Sequence, residues 1–251
     1  MMKRYYFSGI VHPERAQISL EAPPLRIMTA EAQPFLEVRY NIYNNQISAM
    51  VDCARDGTDL FTLRNHIRAH VGTAVTILGF ILGRAYDIEI TKVFDESLDE
   101  TLIFGIDIKM LEQRNKHLDV NLAANHIINL CSGPDGRYIR RCLDDLTMSI
   151  RYLDDSAFYC YRAIESIKQY FGAKNNLLDD AKKWRAFADA IGAVPEELNE
   201  IKALADPSRH GTPVEISDEA RGIVFSKTWD IVEKFIDYRS QELGLGFRLR
   251  R

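Results

Sequence analysis

The sequence has no Cys-x-x-Cys pair among its four cysteines, Cys53, Cys131, Cys142 and Cys160. That excludes the usual zinc and dithiol frameworks and predicts reduced core thiols in a cytoplasmic protein. It has no long hydrophobic run: the longest, Val71 to Leu82, is about a dozen residues broken by glycine and threonine, too short to span a bilayer. Met1-Met2-Lys3-Arg4 leads straight into Tyr5-Tyr6-Phe7 without a signal-peptide core, so no membrane association is expected. It has no excess of positive charge either. A net charge of −4 and a pI near 5.9 predict no bulk attraction to nucleic acid, so a nucleic-acid site would have to be a local basic patch. The phosphate-cradling Gly-x-x-x-x-Gly-Lys-Ser/Thr loop, the Gly-x-Gly-x-x-Gly turn and the Gly-x-Ser-x-Gly elbow are all missing, and nothing calls for a cofactor.

What is present is ample apolar content, 46% of 251 residues, enough for one large domain or two small ones. The first hundred or so residues read as strands. Lys3 to Val11 and Ala16 to Ala22 are rich in aromatic and β-branched residues, and Val38-Tyr40-Ile42 and Ile47-Ala49-Val51 alternate on either side of Asn44-Asn45, a hairpin turn. Thr58 or Asp59 caps a helix that turns Leu60, Leu63, Ile67, Val71, Ala74, Leu78 and Ile81 inward and stops near Gly83. Tyr86 to Val93 and Thr101 to Met110 read as two more strands. The expectation is an α+β fold whose N-terminal part is an antiparallel sheet with one covering helix, over residues 1–117. Leu111 to His117, charged and without pattern, marks the boundary.

Residues 118–251 read as all helical. The central expectation is one continuous helix from Arg137 to Gly172, because Ile139, Leu143, Leu146, Ile150, Leu153, Ala157, Cys160, Ile164, Ile167 and Phe171 keep a 4,3,4,3 spacing. Such a helix would be roughly 50 Å long and serve as the spine of a bundle. Asp119 caps the helix before it, Gly172 caps its end, and Asn175 or Asn176 starts the next. Pro195 opens a further helix that Pro207 closes, and Ser217 caps the last. The basic tail Phe247 to Arg251 reads as mobile.

The most specific local feature is Ala205-Asp206-Pro207-Ser208-Arg209-His210-Gly211, read as the start of a polar loop to Glu215 between two helices. Together with Tyr159-Cys160-Tyr161-Arg162-Ala163-Ile164-Glu165 and the closing amphipathic helix, it resembles the HEPN superfamily of helical bundles, over about 118 to 251. A fainter similarity is to bacterial proteins labelled MauJ. The resemblance implies a homodimer in a bacterial defence or stress system, with an RNA or protein partner. In catalytic members an arginine and a histidine, separated by four to six residues, hold the scissile phosphate and move the proton of the attacking 2′-hydroxyl.

Carried over, His210 and Arg209, with Glu165, would be the catalytic groups of a metal-independent endoribonuclease, and Arg162, Tyr161 and Ser208 would bind. The sequence departs from the pattern at that point: Ala203, Leu204 and Ala205 supply no arginine, and Arg209 is adjacent to His210. This departure favours a non-catalytic, dimerising and binding module. Simpler roles exist for each residue: Arg209 could pair with Glu165 or Asp206, His210 could cap a helix, and Arg162 and Glu165 are i,i+3 neighbours able to pair. A second arginine–histidine spacing, Arg64 to His70, lies on the predicted N-terminal helix with the two side chains about 120° apart, and His70 falls on the inward stripe. His66 and His70 are i,i+4 but lack a third ligand, so no metal site is expected.

Overall fold

The structure, a computed structural model, describes residues 3–28, 34–54, 58–105, 108–114, 116–212 and 216–249. It divides into two compact units, residues 1–106 and 107–251.

The first unit is an antiparallel sheet of seven strands: β1 (Lys3–His12), β2 (Leu20–Glu21), β3 (Leu25–Met28), β4 (Pro34–Tyr43), β5 (Gln46–Cys53), β6 (Asp87–Asp95) and β7 (Glu100–Ile103). The order is β2-β4-β5-β1-β6-β7, with β3 also pairing to β4. Period-two alternation puts Tyr5, Phe7, Val11, Val38, Ile42, Ile47, Ala49 and Val51 on one buried face. α1 (Leu60–Leu82) covers that face with Leu63, Ile67, Val71 and Val75. As expected, Asn44 and Asn45 both take positive φ at the β4–β5 turn, Asp59 caps α1, and Gly83 ends it in the left-handed region. Gly9 sits at a β1–β6 bulge where a Cβ would come within 2.3 Å of the Glu89 carbonyl oxygen, so only glycine fits.

Two strand expectations are corrected. The stretch expected from Ala16 to Ala22 contributes only Leu20–Glu21, because buried Asn45 holds the preceding loop by accepting from the Ile18 N–H and donating to the Pro13 and Glu14 carbonyls. The strand expected over 101–110 stops at Ile103; residues 106 and 107 lie outside the described set, and α2 (Lys109–Arg114) follows. α2 is not a patternless linker: Leu111 is buried among the helices and Arg114 pairs with Asp230 and Glu233 of the last helix. The chain therefore divides after 106 instead of at 117.

The second unit holds α2, α3 (Val120–Ser132), α4 (Gly136–Arg151), α5 (Ser156–Lys174), α6 (Asp180–Ile191), α7 (Pro195–Arg209) and α8 (Asp218–Glu242). The expected rod from 137 to 172 is broken. Tyr152 ends α4 with φ −110° and ψ 89° and opens a four-residue turn, and α5 starts at Ser156 behind Asp154 and Asp155, whose charges suit a helix N-terminus. The two helices fold back on one another: Asp145 meets Arg162, and the Tyr138 ring lies 6.0 Å from that of Tyr170. Both helices bury their stripes in the same core, so the heptad count runs through the turn although the backbone does not. α5 is the true centre, touching α4, α6, α7 and α8 and burying Ala157, Cys160, Ala163, Ile164 and Ile167 completely.

Smaller boundaries shift too. α5 continues past Gly172 to Lys174, and the cap of α6 is Asp179, whose carboxylate accepts from the Lys182 N–H, not Asn175 or Asn176. Asp119, Pro195 and Ser217 occupy the expected helix starts. The tail through Leu249 is docked: Gly244 and Gly246 turn it at positive φ, Phe247 stacks on His126 of α3 at 4.3 Å, and the Leu249 N–H donates to Asp237. Arg250 and Arg251 lie outside the described residues. No helix among the described residues is long and apolar enough to cross a membrane.

Candidate functional site

α5 keeps one strip half-buried, formed by Phe158, Tyr159, Arg162, Glu165 and Ser166 and ending at exposed Gln169, while Tyr161, one position from Arg162, is buried toward α6 and α7. The expected site residues divide between these two directions.

Arg162 belongs to the α4 side. Its Nη2 lies 3.1 Å from Asp145 Oδ1, and its guanidinium rests on Phe158 and Tyr159, 5.2 and 5.5 Å from their ring centres. Arg141 approaches the other carboxylate oxygen at 3.3 Å. Asp145 is buried, and burial raises its pKa to about 6 against the pull of Arg141. The expected Arg162–Glu165 pair is not made: Glu165 faces Lys168 at 3.5 Å instead. Lys168 is a buried lysine, held 2.9 Å from Asp180 and 4.7 Å above the Trp184 ring of α6. Its hydrogen bond draws the Asp180 pKa below the ordinary carboxylate value.

Arg209 belongs to the α7 side. Pro207 does not end α7; residues 206–209 form its last turn, and what was expected as the start of a loop is helix. This places Arg209 one turn beyond Asp206, 3.6 Å from its carboxylate, with the guanidinium 6.0 Å from the Tyr161 ring. Tyr161 stacks on Trp184, and burial, reinforced by Glu165, pushes its phenol up to about 12, so it stays protonated. His210 caps α7 with its backbone N–H, bonding to Asp206 and Pro207. Its side chain is exposed and makes no hydrogen bond or ion pair to another described residue. Ser208 is half-buried in the same turn. Residues 213–215 of the expected loop lie outside the described set.

The structure thus brings Tyr161, Arg209, Asp206 and Trp184 together, and puts Arg162 with Asp145 and Glu165 with Lys168. Each cation has a carboxylate partner. The arrangement can present planar, mixed-charge side chains to a partner surface. It does not hold an imidazole against an acceptor, which general-base chemistry needs.

In sequence, two described segments of this chain match known family models: residues 5–104 match the N-terminal domain, and 124–240 the C-terminal domain, of a family described as a domain of unknown function, DUF8168. The chain carries both DUF8168 domains. The C-terminal match contains the whole strip and the Asp206–His210 turn, and the N-terminal match contains the sheet and α1. No curated protein and no solved structure is significantly similar to the chain.

Outside this region, Arg64 of the DUF8168 N-terminal domain rests on Phe61 and Phe104, and His70 is half-buried with its pKa lowered by burial and by the charge of His66. That pair is structural. Among the described residues no three His, Cys, Asp or Glu side chains gather as a metal site. Sequence reasoning missed Asp145, Lys168 and Trp184, since a buried charge on an otherwise ordinary helix has no local signature. It also missed buried His126, whose Nε2 lies 2.6 Å from Ser240 Oγ, and the buried Arg239 that donates to Tyr170 and Glu242.

Proposed function

We propose that the helical unit is a HEPN-like binding module without nuclease activity, engaging a protein partner through the half-buried strip of α5 and the adjoining end of α7. The observation that carries this reading is His210: among the described residues its imidazole has no hydrogen-bond or ion-pair partner to orient it, while Arg209 is engaged by Asp206 and Tyr161. A pair that must clamp a phosphate and shuttle a proton needs the opposite arrangement, with a free guanidinium and a held imidazole. The pairing of Arg162, Lys168 and Arg209 with carboxylates supports a protein partner over RNA, because a phosphate backbone is met by unpaired cations. Arginine and aromatic residues side by side are the usual anchors of protein interfaces. The HEPN resemblance supports placing the module in a defence or stress system.

The test is direct. Full-length protein and its His210→Ala variant are incubated with single-stranded and structured RNA in EDTA. Neither cleaves on this reading; cleavage by the parent that His210→Ala abolishes restores the endoribonuclease.

A further inference from the structure

The outward face of α1 is unlike that of an ordinary surface helix. Opposite the buried row Leu63, Ile67, Val71, Val75 and Gly79 runs a second row, Thr62, His66, Ala69, Thr73, Thr76 and Phe80, spaced 4,3,4,3,4. It contains no Asp, Glu, Lys or Arg, where the solvent side of an amphipathic helix is normally charged. Ala69, Thr73, Thr76 and Phe80 are exposed, while Thr62 and His66 are half-buried, the His66 ring meeting Phe35 of β4 edge-on at 5.8 Å. Phe80 is 86% exposed, and its neighbours Ile77 and Ile81 are 54% and 69% exposed, a contiguous apolar end on a helix whose middle is lined with small side chains. The two arginines of α1 do not interrupt the row: Arg64 is turned onto Phe61 and Phe104, and Arg68 is half-buried.

We propose that this row is a dimer seam, and that its occupant is α1 of a second copy of this chain, packed antiparallel. The reason for a second copy is self-complementarity. A two-fold axis level with Val71 maps the row onto itself, setting Phe80 against Thr62, Thr76 against His66 and Thr73 against Ala69. Each large side chain meets a small one, and a 4,3 spacing is what two packed helices need to interdigitate. The charges agree. The same axis brings Arg84, exposed just beyond the C-terminus, to the level of Thr58, one residue from Asp59, whose carboxylate caps the N-terminus of the other copy's α1. A parallel pairing would set Arg84 against Arg84. The seam uses no residue of the α5 strip, so it stands whether or not the binding-module reading does. The α5 heptad row, by contrast, is consumed within its own bundle and has nothing left to offer a second copy.

A single helix face is smaller than the usual interface of about 800 Å² per partner, so a dissociation constant on the order of 10 μM is expected. Sedimentation of the full chain from about 2 to about 200 μM reads it. The proposal expects a monomer–dimer equilibrium in that range, and at least a tenfold weakening in Thr73→Glu and in Phe80→Glu with unchanged melting temperatures, since both positions are exposed. Orientation is read by mixing Ala69→Cys with Thr73→Cys protein in a glutathione buffer. Crosslinks form between the two variants and not within either alone, because an antiparallel seam sets 69 opposite 73. A monomer at every concentration overturns the proposal. So does a dimer that survives either glutamate, or crosslinking of Thr73→Cys to itself in preference to Ala69→Cys.

Discussion

Asp145 carries a charge in a place that resists it. Its carboxylate is buried on α4, with Arg162 and Arg141 on its two oxygens, and burial raises its pKa to about 6 from the ordinary carboxylate value. A carboxyl whose pKa is higher folded than unfolded binds more protons in the folded state between those values. Stability therefore falls as pH rises from about 4 through about 6, and the benefit of protonation is complete only at the acid end. Asp145→Asn should remove this slope. Urea midpoints at pH 5 and pH 7.5 should converge in the variant, whereas the parent should lose about 1 kcal/mol over the interval, since pH 5 lies about one unit below the folded pKa. An equal slope in both proteins would mean that the carboxylate is solvated. At His210 the expectation is the absence of an effect: the side chain is exposed, so His210→Ala should change stability by less than about 0.5 kcal/mol.

At the scale of elements, the break between α4 and α5 decides what the helical unit can be. Ile164 is fully buried inside one chain, touching the core shared by α4, α6, α7 and α8. Ile164→Ala should cost about 2–5 kcal/mol by cavity formation, and Ile164→Asp should unfold the unit, seen as lost helical circular dichroism. A soluble, folded Ile164→Asp monomer would instead mark an exposed dimer row. The turn itself gives a complementary prediction. Two glycines inserted after Asp154 should lower stability by about 1 kcal/mol or less, because loops lengthen cheaply. In a continuous helix the same insertion would swing everything beyond it by about 200° and destroy the core.

Both elements show why the sequence was readable in one respect and silent in another. Periodicity records which residues face inward: of the ten expected positions Ile139, Leu146, Ala157, Cys160, Ile164, Ile167 and Phe171 are buried, and Leu143, Ile150 and Leu153, nearer the turn or the edge, are half-buried. It does not record whether the backbone between them is straight, and Tyr152-Leu153-Asp154-Asp155 contains neither glycine nor proline to announce a turn. Capping residues were legible at Asp59, Asp119, Pro195 and Ser217 because each acts on its own helix through local hydrogen bonds or φ. The partners of Arg162 and Arg209 were only partly so. Arg209 meets Asp206 within one turn, a local relation weighed among the alternatives, whereas Arg162 meets Asp145 only because two helices fold together.

At the scale of the whole molecule, the chain is a seven-stranded sheet with one helix, followed by a helical unit centred on α5, and the two units are the two DUF8168 domains. The open face of the sheet is polar and internally paired: Arg4 with Asp52, Glu37 with Arg26 and Arg39, His12 with Glu89, and Tyr6 beside Phe94. Paired charge on the helical unit is what the proposed binding module uses in place of free cations. The measurement that tests this most directly is RNA cleavage in EDTA by the full chain beside His210→Ala. Intact RNA is expected from both proteins at micromolar concentration; RNA cut by the parent and spared by the variant would contradict a non-catalytic module.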